Sequence, residues 1–143
     1  MTTRNYLAQI THLEDSIKTK RERAKAYYEL AGSPGSVNLT GMPRNPSPSQ
    51  SPMADAICKA IDLENEVKAE EELLNRKKLF LLDMIGRLSC RDYQTVLLQR
   101  YINHMSWDNI SAKLYYTTRW VYKLHDRAMD ELDTLFAKET DIP

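Results

Sequence analysis

Four side chains near the C-terminal end of the sequence have the chemistry needed to read a nucleic-acid duplex: Thr118, Arg119, Tyr122 and Lys123. Arginine and lysine donate to the acceptors of guanine. Threonine bonds to base edges or meets a thymine methyl, and tyrosine reaches phosphate or apolar edges. Steps of one, three and one keep these positions on neighbouring turns of a helix. Around them stand Arg91, Arg100, Lys113, Thr117, His125 and Arg127, candidates for phosphate contacts that fix position without reading sequence.

Other chemistries lack their residues. His12, His104 and His125 are scattered, none with a second ligand at metal spacing, and Cys58 and Cys90 are equally isolated. No nucleophile elbow, phosphate-binding glycine loop or paired acid is present. The expectation is a protein that is not an enzyme, with no catalytic residues, no metal and no cofactor.

The elements that would position the ten residues form a pattern of three short helices, Cys90 to Asn103, Trp107 to Leu114, and Thr118 to about Phe136. Ser89 and Asp92 offer the first an N-cap with an acid three residues on, a variant of the capping box. Ser106 and Thr117 are in place to cap the second and third. Val121, Leu124, Ala128, Leu132 and Leu135 recur every three or four residues, an inner side that leaves Thr118, Arg119, Tyr122 and Lys123 facing out. Ser111 and Ala112 are small enough for a close helix crossing. Trp107 and Trp120 are read as core; Tyr115 and Tyr116 make the turn, by packing or by contacting phosphate.

Upstream lie two longer helical patterns. Ile10, Ile17, Ala24 and Ala31 repeat every seven residues within 1–31, with Tyr6, Leu13, Lys20 and Tyr27 interleaved. Met53, Ala60, Val67, Leu74, Leu81 and Leu88 do the same within 53–88, supported by Ile57, Leu63, Met84 and Ile85. Ser51 can cap this second helix, with Pro52 at its first position. An amphipathic helix gains stability mainly by packing its apolar face. The two must therefore pair within the chain or across subunits, and a homodimer through the long helices is expected. Between them, 32–52 is rich in Pro, Gly and Ser and reads as a flexible linker.

Formal charge is zero overall, yet 86–127 carries seven basic against three acidic residues, whereas 128–143 carries one against five. Local concentration of positive charge matters more here than the total. The longest apolar run is too short to span a bilayer, and two cysteines suit a reducing compartment. A cytoplasmic protein of a bacterial host, without a membrane partner, is the expectation.

Residues 88–132 resemble sigma-70 region 4. The likeness rests on Leu97-Leu98-Gln99-Arg100-Tyr101, Asn109-Ile110-Ser111, Leu114, Thr117, Val121 and Ala128-Met129-Asp130-Glu131-Leu132. The whole arrangement is similar to small phage and prophage proteins related to ArpU/RinA-type regulators of late genes. That resemblance implies an all-α fold, a long helical hairpin or coiled-coil arm followed by a helix-turn-helix at 89–143. It also implies a transcription regulator that binds double-stranded DNA and contacts RNA polymerase. A small-terminase-like packaging protein and a polymerase-binding module without DNA are the alternatives. Thr118, Arg119, Tyr122 and Lys123 match the family's DNA-touching positions. The sequence departs from the pattern at Tyr115, where glycine or another turn-tolerant residue is usual, and at Trp120 and Tyr122, which replace basic residues.

Overall fold

The computed structural model describes residues 2–32 and 51–143. It is all-α: α1 (Thr3–Ala31), α2 (Pro52–Gly86), α3 (Arg91–Leu97), α4 (Trp107–Leu114) and α5 (Thr118–Lys138), with a π-helical turn (Leu98–Ile102) running on from α3. No strand forms among the described residues. Most of the expected linker, 33–50, lies outside them. The chain folds as two compact units, Leu13–Glu72, and Met1–His12 together with Leu73–Pro143.

In the first unit α1 and α2 run antiparallel. Ser16 donates to Glu70, Lys20 pairs with Glu70 at 2.6 Å and Glu66 at 3.3 Å, Arg21 pairs with Glu71, and Tyr28 donates to Glu64. Ala24, Ala60 and Leu63 form the buried core, with Tyr27 against it. The heptad positions of α1 are all buried, and those of α2 are buried from Ala60 onward. The long helices thus pair within one chain, and the seam that the sequence offered to a second subunit is occupied internally. Met53 and Ile57 are exposed instead of buried. In this antiparallel register α1 stops at Ala31, too soon to cover them.

In the second unit a triangle of aromatic rings joins α1, α2 and α5. Tyr6, Phe80 and Phe136 meet edge to face with centroids 5.2–5.6 Å apart, a geometry the ring quadrupoles favour. Burial pushes the Tyr6 hydroxyl up to about 12, and it donates to the Lys77 carbonyl. The Lys77 ammonium, desolvated and held below the usual lysine range, lies over the Tyr6 ring and donates to Gln9 and the Pro143 backbone oxygen. Asp133 accepts the Thr3 backbone N–H at the start of α1.

The C-terminal core is Val96, Ile110, Val121 and Leu124, with Tyr93, Met105, Trp107 and Leu114 packed on it. The inner stripe of α5 continues through Ala128, Met129, Leu132 and Phe136. Phe136, not Leu135, closes it, because Leu135 turns partly outward while Phe136 completes the aromatic triangle.

Ser106 and Thr117 cap α4 and α5, accepting from Asn109 and Trp120 N–H at 3.2 Å. Ser51 accepts from Ala54 N–H ahead of Pro52. The proposed capping box of α3 does not form. Cys90 holds the N-cap position, while the Ser89 N–H and hydroxyl both donate to Glu131. The opening helix is also not one α-helix to Asn103. At Leu98 it widens into the π turn, where Asn103 N–H bonds to the Leu98 carbonyl five residues back.

The turn into α5 is left-handed. Tyr115 has φ 58° and ψ 34°, its N–H bonds to the Ser111 carbonyl, and its side chain is 93% exposed. The residue supplies a conformation that glycine adopts freely and that costs other residues about 1 kcal/mol or more. With almost no side-chain packing to lose, Tyr115→Gly should stabilise the domain by about 1 kcal/mol in denaturant unfolding. Tyr115→Val should destabilise it. A loss of stability in the glycine variant would show that the tyrosine ring contributes more than its conformation costs.

Candidate functional site

Amphipathicity fixes what α5 presents. Val121, Leu124, His125 and Ala128 are buried, so the outer side carries Arg119, Tyr122, Lys123 and Arg127, all exposed, with Thr118 half-buried at the first turn. Arg91 at the start of α3 and Lys113 in the last turn of α4 are exposed as well. Thr117 is engaged as the cap of α5. Arg100 is half-buried; its guanidinium lies 4.5 Å from the Trp107 ring centroid and donates to the Met105 carbonyl.

His125 does not lie on this surface. Its side chain is 7% exposed, Nε2 is 2.7 Å from the Tyr101 hydroxyl, and the Trp107 ring stands against it at 4.9 Å. A phosphate cannot reach it there, so its expected contact is withdrawn. Burial lowers its pKa below the ordinary 6.5, only partly opposed by Asp126. Burial also raises the Tyr101 hydroxyl.

Trp120, read from spacing as core, is 37% exposed, and the Arg127 guanidinium lies 5.4 Å from its ring centroid. Tyr116 settles its two readings in favour of turn packing, since its hydroxyl donates to Asp92 and that bond raises its pKa. Sequence reasoning missed Asp126, exposed among the basic residues of α5, and Arg4 of α1, 4.0 Å from it. The one signal for Asp126 was its place between His125 and Arg127; for Arg4 there was none, since the contact depends on α1 packing beside α5.

Among the described residues no group of three or more His, Cys, Asp or Glu side chains could hold a metal ion. No described helix is long and apolar enough to cross a membrane. A family model described as "Protein of unknown function (DUF1492)" matches residues 53–133, more than half of the chain. The chain belongs to the DUF1492 family. Every candidate contact residue of this DUF1492 member lies inside the matched segment, which takes in α2 from Met53, α3, α4 and most of α5. Neither the curated proteins nor the solved structures provide a match.

The buried imidazole makes stability depend on pH. A folded-state pKa below the unfolded value means that the unfolded chain binds the proton more readily. The contribution is full above pH 6.5 and is lost progressively as pH falls through 6.5 toward the lower folded-state pKa. Melting temperatures measured between pH 8 and 5 should therefore fall more steeply for the wild type than for His125→Gln. Parallel curves would refute a neutral, buried His125.

Proposed function

We propose that this DUF1492 member binds double-stranded DNA, with α4 and α5 acting as a helix-turn-helix and α5 as the helix that enters the major groove. The observation that carries this reading is the outer side of α5, where Arg119, Tyr122, Lys123 and Arg127 are exposed together beyond a three-residue turn. Two short-linked helices with a basic outward face are the construction that seats a helix in that groove. Arg119, Lys123, Tyr122 and Thr118 then address bases, while Arg91, Lys113, Arg127 and, through its free N–H groups, Arg100 address phosphates. His125 is left out.

The resemblance of 88–132 to sigma-70 region 4 supports a regulator of phage-type transcription that works in the bacterial cytoplasm, touches RNA polymerase and acts by binding rather than catalysis. The left-handed turn at Tyr115 supports it too, since the departure from glycine leaves the backbone in the conformation glycine would take. Self-association into a dimer is part of this reading and draws on Met53, Ile57 and Ile61, an exposed apolar row at four-residue spacing on α2. Light scattering that gives the mass of a single chain at micromolar concentration removes the dimer from it.

Fluorescence anisotropy with duplex DNA across a salt series tests the binding itself, because release of condensed counterions makes true DNA binding fall steeply with salt. Arg119→Ala and Lys123→Ala should each cost about 1–3 kcal/mol on a selected site. Arg127→Ala should weaken all sequences alike and reduce the salt slope by about one. Three variants that bind like the wild type would dismiss α5 as the recognition helix.

A further inference from the structure

One indole ring holds two of the proposed DNA-facing side chains at once. Trp107 is the first residue of α4, fixed from behind by the Ser106 cap and by the core it packs against. The Tyr122 ring meets it edge to face at 5.1 Å and 64°. The Arg100 guanidinium lies 4.5 Å from the ring centroid, and the buried His125 ring stands against it at 4.9 Å and 83°. With His125 tied to Tyr101 and Arg100 tied to the Met105 carbonyl, the indole is braced by two neighbours that are themselves held.

Tyr122 needs such a brace. It is 46% exposed, and an unpacked tyrosine on a helix divides itself between two side-chain rotamers. A side chain that must present an edge or a hydroxyl to one base step loses affinity for that step in proportion to the time spent elsewhere. Arg100 poses the same problem, since a long cation over an aromatic face is steered to one direction rather than left to sweep the surface.

We infer that Trp107 is a positioning residue for sequence recognition: without touching DNA it sets the direction of Tyr122 and of Arg100, and so governs discrimination between sequences more than affinity for DNA as such. The inference rests on the DNA-binding reading above. A tryptophan that only fills the core would affect stability and would lower binding to all duplexes equally.

The test uses the full chain, duplexes recovered by the wild-type protein from a randomised pool, and the unselected pool as reference. Trp107→Leu keeps an apolar filling but removes the aromatic face. It should reduce discrimination by about tenfold, within the usual range for coupled neighbouring side chains, while binding to the unselected pool stays within about twofold. Trp107→Phe, which retains a ring for both partners, should recover most of the discrimination. In a Tyr122→Leu background the Trp107→Leu change should add much less than it does alone. Wild-type discrimination in Trp107→Leu overturns the inference and leaves DNA binding standing, as does an equal loss on both pools. Should Trp107→Leu not fold, Tyr122→Leu and Arg100→Gln take its place: both must lose discrimination, and a wild-type value in either overturns the inference. A wild-type protein that binds no duplex overturns the DNA-binding reading, and this inference with it.

Discussion

The inner side of α5 has to stay dry. Seven of its residues, from Val121 to Phe136, are buried, and a stripe of that width leaves a single outward face for everything charged. The rest of the C-terminal arrangement follows from meeting this demand at both ends of the helix. Near its start α3 and α4 supply Val96 and Ile110 as partners. Near its end the partners are Tyr6 and Phe80 from the two long helices. A single amphipathic helix thus links local packing to contacts between residues more than a hundred positions apart in the chain.

Polar links around this apolar stripe act on its orientation more than on its burial. Glu131 takes both donors of Ser89, Arg87 bonds Glu139 and Asp83, and Gln94 donates to the Leu88 carbonyl. Exposed ion pairs contribute little stability on their own, but they select one rotation of α5 among those that would bury a comparable apolar area. The Arg4–Asp126 pair, both members well exposed, belongs with these. Its more interesting effect is to offset the one negative charge lodged among Arg119, Lys123 and Arg127.

How much of this was legible in the sequence depended on whether local rules or tertiary competition decided each residue. Caps and seams were legible: Ser51, Ser106 and Thr117 cap where their positions predict, and the seven-residue repeat of α1 is buried throughout. So was the exposure of Arg119, Tyr122 and Lys123, because helical periodicity alone separates them from Val121 and Leu124. Ser89 misled because Glu131, forty-two residues away, competes successfully for the donors that a local capping box would use. His125 misled because a polar residue at a borderline helical angle goes inward once Tyr101 offers it a partner. That offer depends on the π turn, which no periodicity in the sequence announces. Trp120 misled for the opposite reason: size suggested core, but its angle on α5 points away from Val121 and Leu124.

The π turn also sets a rule about length. A wide turn is an α-helical turn holding one residue too many, and here that surplus residue lets Val96, Leu97 and Gln99 all be buried while Tyr101 still reaches α5. Losing one residue between Leu98 and Ile102 would restore ordinary winding and swing everything after it by about 100°, turning the phenol away from its imidazole partner. The stretch is therefore far more tolerant of exchanged side chains than of a single codon's deletion, and what it preserves is a count.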